Sequence, residues 1–199
     1  MLPYPGYYGP MTARILSVAL SLAFLAVLPT LAADIYLVRH AEKVKDDSKD
    51  PALTEVGYQR AANLADMLGS AGITKIYSSD YTRTRDTAAP LAEHLGLELQ
   101  IYDPKALEPF ATELLKLQEN ALVVGHSNTT PELAELMGGD GGTPIVEDWE
   151  YDRLYLLQTE NGKVTHTILL HLPPATTPPQ KVPANSWISV LIPVSSGSG

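Results

Sequence analysis

The sequence predicts a three-layer α/β/α sandwich on a mostly parallel central sheet with an antiparallel edge. Three observations carry that expectation. Short apolar strand patterns alternate four times with helical ones between Asp34 and Met137, as in a parallel sheet covered on both faces. The runs at 35–38 and 121–124 are unbroken rather than alternating, as strands buried on both sides must be. Two later alternating runs flank Asn161-Gly162, a two-residue hairpin signal that places antiparallel strands at one edge.

The chain has 199 residues, 45% of them hydrophobic, which suffices for one full globular domain. The absence of cysteine excludes disulfides, thiolate nucleophiles and zinc-thiolate sites. A formal charge of −9 with no basic stripe argues against a nucleic-acid partner.

From the N-terminus, residues 1–33 read as a Pro/Gly/Tyr-rich extension followed by a secretory signal. Its start is Met11, its positive region Arg14, its apolar core 15–28, and its small-residue cleavage region 29–33. The expected address is the periplasm or the exterior of a bacterial cell, without stable membrane association once the signal is removed. Because the apolar core falls short of the ~20 residues that span a bilayer comfortably, an uncleaved N-terminal anchor is the alternative.

The domain is expected over 34–171. A strand at 35–38 ends in Arg39-His40, and Thr54 then caps a helix that closes at Gly69, Ser70 and Gly72. A strand at 73–77 runs into Ser78 and a helix opened by Arg83, whose N-terminal amides favour an anion. A third strand at 97–102 precedes Asp103-Pro104, read as N-cap and first residue of a helix. The strand at 121–124 empties into Gly125-His126-Ser127-Asn128. A helix over 131–137 follows, then a glycine-rich loop at 138–142 expected to be a flexible surface segment, and strands at 153–157 and 164–170. Residues 172–199, rich in Pro and Thr, lack the composition for a packed core and read as a disordered tail.

A parallel sheet gathers its strand ends on one side, so Arg39, His40, Arg83 and His126 should converge there. Two arginines can clamp a tetrahedral dianion through charge-assisted hydrogen bonds. One histidine can attack phosphorus while the other stabilises the developing charge.

The segments Leu37-Val38-Arg39-His40-Ala41-Glu42, Tyr77-Ser78-Ser79-Asp80-Tyr81-Thr82-Arg83 with Thr87-Ala88, and Val124-Gly125-His126-Ser127 together resemble the histidine phosphatase superfamily, including its small single-domain bacterial members. Ala41 stands where Gly is more usual. The resemblance implies the phosphoglycerate mutase-like α/β/α fold, His40 as a nucleophile that becomes phosphorylated, and Arg39, Arg83 and His126 as the phosphate pocket, with no metal and no cofactor. Ser78 and Asn128 are candidate phosphate donors or helix caps. The partner is expected to be a small phosphorylated substrate or a phosphoprotein.

The general acid is open. Ser127, not Asp, follows His126, while Asp103 and Glu108 lie in the region of the family's other acid. Asp103 has a sufficient capping role and Glu108 reads equally as a solvated helix residue; Glu147 and Asp148 are further outsiders. The expected function is an exported, metal-independent phosphatase acting on phosphomonoesters or phosphohistidine. A mutase-type phosphotransferase and a non-catalytic anion or cell-envelope binding module are the alternatives.

Overall fold

The computed structural model describes residues 32–174, so the signal reading up to residue 31 and the tail reading from residue 175 lie outside the described residues; Ala32 and Ala33, read as part of the signal's cleavage region, open the first strand instead, and Leu172, read as the start of the tail, is buried in the core. Its elements are β1 (Ala32–Arg39), α1 (Glu55–Leu68), β2 (Ile73–Ser79), α2 (Thr82–Leu95), β3 (Leu99–Tyr102), α3 (Leu107–Leu114), β4 (Asn120–Gly125), α4 (Thr129–Leu136), β5 (Arg153–Glu160) and β6 (Lys163–His171). They form one six-stranded sheet in the order β3-β2-β4-β1-β5-β6. The first four strands run parallel; β5 joins β1 antiparallel and β6 closes that edge. The α/β sandwich with an antiparallel edge is as expected.

The unbroken apolar runs have the physical cause inferred for them. In β1, Ile35 and Leu37 face a cluster with Leu107, Phe110 and Leu114 of α3 and Leu133 of α4. Tyr36 and Val38 face the opposite cluster, with Leu64 and Leu68 of α1 and Leu91 of α2. β4 divides likewise, Ala121 and Val123 to one side and Leu122 and Val124 to the other. Each fully buried Leu or Val here stabilises the fold by ~1.5–3 kcal/mol, so the central strands are the rigid base from which the strand ends project.

Thr54 caps α1 as its sequence predicts, its hydroxyl accepting from the Gly57 amide at 3.1 Å. The same turn seats the segment after His40: the Thr54 amide donates to the Glu42 carbonyl at 2.8 Å. The Glu42 carboxylate meets the Arg60 guanidinium through contacts of 2.6–3.1 Å. Glu42 therefore locks the loop onto α1. A Cβ at Gly57 would fall 2.2 Å from the Glu42 carbonyl oxygen. Gly57→Ala should therefore cost ~2 kcal/mol by overpacking and lower the thermal midpoint by several degrees; an unchanged midpoint would show that this seat is slack.

Three expectations need correction. α3 starts at Leu107, not at Asp103, because the Asp103 carboxylate accepts from the Lys105 amide at 2.9 Å, a local turn that competes with helix. α4 begins two residues early, at Thr129, with Pro131 in the first turn, where a missing N–H costs nothing. The 138–142 loop is tied down: the Tyr155 hydroxyl donates to the Gly141 carbonyl at 2.9 Å and the Asp140 amide to Thr167 Oγ1 at 3.1 Å. The Asn161-Gly162 hairpin forms as read, both residues at positive φ (51° and 76°).

Candidate active site

Register decides what meets what at the carboxyl edge. Arg39 pairs with Gly125 across the parallel β1–β4 ladder, so the next residues, His40 and His126, emerge side by side. Their ring centroids lie 5.6 Å apart, edge to face. Ser78 pairs with Val124, which brings Ser79 level with the Arg39–Gly125 pair, one step short of the histidines. α2 follows directly and swings Tyr81 and Arg83 over them. The resulting cavity, about 300 Å3, is lined by His40, His126, Arg83, Tyr81, Lys105 and Glu147, with Ser127 and Asn128 at its wall.

His40 is buried, and its Nδ1 lies 2.7 Å from the Ala41 carbonyl. A carbonyl only accepts, so Nδ1 carries the proton and Nε2 keeps its lone pair. Burial, reinforced by Arg39, Arg83 and His126, lowers the His40 pKa to about 3. The loop is held in place by the Ala41 amide, which donates to Thr87 Oγ1 of α2 at 2.9 Å. The Ala41 methyl is fully buried against Leu53 and Ala61, so the departure from glycine is absorbed by packing.

His126 has the opposite tautomer. Arg83 Nη2 can only donate, and it faces Nδ1 at 3.5 Å. Nε2 therefore donates to Ser79 Oγ at 2.8 Å, and Ser79 passes a hydrogen bond to Thr84 at 3.0 Å. Burial first, then Arg83, lowers the His126 pKa to about 4. Tyr81 stands edge-on to His126, centroids 5.1 Å apart, and its ring stacks under the Arg83 guanidinium at 4.4 Å.

These two depressed values have a consequence for stability. The unfolded chain takes up protons at both histidines below pH ~6.5, whereas the native protein does so only near pH 4 and 3. The unfolded state thus binds more protons between those limits, and stability must fall as pH drops through that window. Each tenfold difference in proton affinity is worth ~1.4 kcal/mol, so urea midpoints should fall steeply between pH 7 and 4.5. The His40→Gln/His126→Gln double variant should lose less; an equal loss would assign the acid sensitivity elsewhere.

Arg39 is 1% exposed and is held by a strap at 146–150. Its Nη1 donates to the Glu150 carbonyl at 2.9 Å and more weakly to Val146 at 3.4 Å, and its Nη2 to the Glu147 carbonyl at 2.7 Å. Tyr151 covers the guanidinium at 4.0 Å. Glu150 closes the strap by accepting from the Val146 amide at 2.9 Å and from Arg153 Nε at 2.5 Å. Two guanidinium nitrogens, Arg39 Nε and Arg83 Nε, are buried with no hydrogen-bond partner among the described residues. Such donors carry a standing cost of ~1–3 kcal/mol each.

The structure thus brings together His40, His126 and Arg83, with Arg39 directly behind them and Asn128 at the wall. It does not bring Ser78, whose hydroxyl is fully buried and donates to the Ser79 carbonyl at 2.8 Å. Strand alternation gives the neighbour, Ser79, the contact with His126. Asp103 and Glu108 also stay out of the cavity, Asp103 engaged in its own turn and Glu108 exposed on α3. The carboxylate present is Glu147. Its Oε2 receives the Ser127 hydroxyl, and its Oε1 lies 3.4 Å from Lys43 Nζ and 3.6 Å from Arg39 Nη2. The Ser127 hydrogen bond, helped by Arg39 and Lys43, holds the Glu147 carboxyl below its ordinary range.

Sequence reasoning also missed Asp50. α2 lacks a side-chain cap of its own. Asp50 supplies one from the loop between β1 and α1, accepting from the Thr82 amide at 2.9 Å and hydroxyl at 2.7 Å, and it pairs with Arg83 at 3.5 Å. An acidic loop residue reaching across 32 positions leaves no local signal. Tyr151 and Glu147 left one: an acidic, aromatic run directly before a strand, Glu147-Asp148-Trp149-Glu150-Tyr151-Asp152.

Residues 35–106 match the family model described as "Histidine phosphatase superfamily (branch 1)", a span that includes Arg39, His40 and Arg83. Over 80 residues the chain is 38% identical to the "Probable phosphoglycerate mutase GpmB" of Yersinia pestis (strain Pestoides F), covering 37% of each protein, so it spans little more than a third of that relative's length. Among solved structures, the protein histidine phosphatase SixA complexed with tungstate superposes with a TM-score of 0.55 at 19% identity, over 71% of this chain and 97% of that one. A mycobacterial glucosyl-3-phosphoglycerate phosphatase does so with 0.54 at 16% identity, over 71% and 98%. These last two likenesses speak for the fold, and the sequence match for the motifs it carries. The second histidine lies beyond the matched span, yet the β1–β4 register sets it against the first, so the chain is similar to the histidine phosphatase superfamily in the matched motifs and in the placing of its two histidines.

Proposed function

We propose that the protein is an exported, metal-independent phosphatase that hydrolyses phosphomonoesters or phosphohistidine through a phosphoryl group carried on His40. The observation that carries this reading is the His40 ring: neutral, fixed through Nδ1, and presenting an unprotonated Nε2 to a cavity flanked by a buried arginine. In the first half-reaction the Nε2 lone pair attacks phosphorus, and the bond to the leaving oxygen or nitrogen breaks with its electron pair. The single N–H proton of the ring stays on Nδ1 throughout, donated to the Ala41 carbonyl. Arg83 turns from His126 Nδ1, which it faces in the free protein, to stabilise the equatorial oxygens, and His126 takes up a proton from solvent at Nδ1 as the dianion enters and donates it as a hydrogen bond.

The orphaned Nε–H groups of Arg39 and Arg83 support an oxyanion as ligand, since a phosphoryl oxygen is the acceptor each lacks. Tungstate, a tetrahedral dianion, is the ligand named for the SixA neighbour. Charge compensation of a bound oxyanion is the role that the Arg83 guanidinium at the cavity wall can fill. Export rests on the apolar run at 15–28.

Residues 34–199 should release phosphate from p-nitrophenyl phosphate in the presence of a chelator; loss of activity on chelation would sink metal independence. With His40 neutral down to about pH 3, kcat/KM should show no acid limb near 6.5, the position expected of an unperturbed histidine. The partial likeness to a phosphoglycerate mutase, with Lys105 at the cavity wall as a site for a second anionic group, keeps phosphotransfer as the second reading. Movement of label between hydroxyls of a phosphorylated hydroxy acid in preference to phosphate release would favour it.

A further inference from the structure

Resting on the phosphatase reading, we infer that Glu147 is the general base for the second half-reaction, activating the water that hydrolyses phosphorylated His40, and that the first half-reaction proceeds without a protein acid. Among the described residues, Glu147 is the one carboxylate lining the catalytic cavity. It is fixed there on both oxygens: the Ser127 hydroxyl donates to Oε2, while Lys43 and Arg39 face Oε1 at 3.4 and 3.6 Å. A carboxylate so surrounded by donors is held ionised, so it has no proton to supply in the first step and is open to receive one in the second.

Its position also solves the supply of water. Glu147 and Arg83 form a wall shared with a second cavity, about 410 Å3, bounded by Lys43, Lys45, Asp46 and Tyr151. The Glu147 side chain is 58% exposed, so water reaches it and the accepted proton leaves to solvent. In the step itself a water proton passes to Glu147, the water oxygen bonds to phosphorus, and the phosphorus–Nε2 bond breaks with its pair returning to His40. Phosphate and neutral His40 result. The leaving group of the first step must then depart unaided, which selects substrates whose leaving groups are good in themselves: phosphoramidates such as phosphohistidine, and aryl or acyl phosphates, over simple alkyl esters.

The test is rapid-quench turnover of p-nitrophenyl phosphate by wild type and Glu147→Gln, following nitrophenolate, phosphate and alkali-stable label on protein. The Gln variant should give a nitrophenolate burst approaching one per active site, then ~10²-fold slower phosphate release, with label accumulating on His40; Glu147→Asp should restore part of the rate. Ser127→Ala, which frees Oε2, should accumulate label to a lesser degree. Phosphate release from Glu147→Gln at the wild-type rate, or loss of its burst, would overturn the assignment. Absence of label from wild type and variants alike would instead overturn the phosphohistidine reading itself, and this inference with it.

Discussion

His40→Ala should abolish turnover, lowering kcat by ~10⁴-fold or more, the scale seen when a covalent nucleophile is removed. The loss should be in kcat alone. Arg83, His126 and the Arg39 strap do not contact the His40 side chain through any hydrogen bond, so the variant should still bind inorganic phosphate or tungstate. It should also be no less stable than wild type at pH 5, because a buried imidazole that resists protonation has been removed. A variant that keeps a tenth of the activity would place the nucleophile elsewhere. One that loses phosphate binding as well would make His40 a structural residue of the pocket.

Arg39→Lys should be nearly as damaging as Arg39→Ala, which separates geometry from charge. The planar fork of Arg39 reaches carbonyls of Val146, Glu147 and Glu150 at once and lies flat on Tyr151. A single ammonium cannot span them. Deleting the fork leaves buried carbonyls unpaired, at a cost of ~3–5 kcal/mol on the scale of broken buried charge networks. It also releases the strap that carries Glu147. We expect a large drop in the urea midpoint for both variants, with turnover falling further than stability alone explains. A lysine variant of wild-type stability and activity would show that only the positive charge matters.

Much of this site is legible in the amino-acid sequence, and the reason is topological. A strand in a parallel sheet ends where its apolar run ends, so Val38 and Val124 advertise the positions of His40 and His126, and the sheet brings them together whatever the intervening loops do. Thr54 and Asn161-Gly162 are legible for a similar reason: each acts on backbone within a few residues. Asp103 shows the limit of that logic, because the same side chain can cap a helix or close a turn, and only the packing of Leu107 and Phe110 decides where α3 begins. Ser78 and Ser79 differ by one place along a strand, so the wrong choice points to the opposite face. Asp50, Glu147 and Tyr151 act across distances in sequence that no periodicity spans. Of the carboxylates considered for the acid, neither Asp103 nor Glu108 reaches the cavity, and the outsider Glu147 does, on a strap that exists because Arg39 gathers its carbonyls.

The most direct test of the account is to locate the phosphoryl group. Wild-type protein mixed with p-nitrophenyl phosphate, quenched in alkali and digested should yield one phosphorylated peptide containing His40, acid-labile and alkali-stable, with the phosphoryl group on Nε2. The hydrogen bond from Nδ1 to the Ala41 carbonyl leaves no other nitrogen of that ring available. Phosphate on Nδ1, on His126, or on an acid-stable hydroxyl would contradict it.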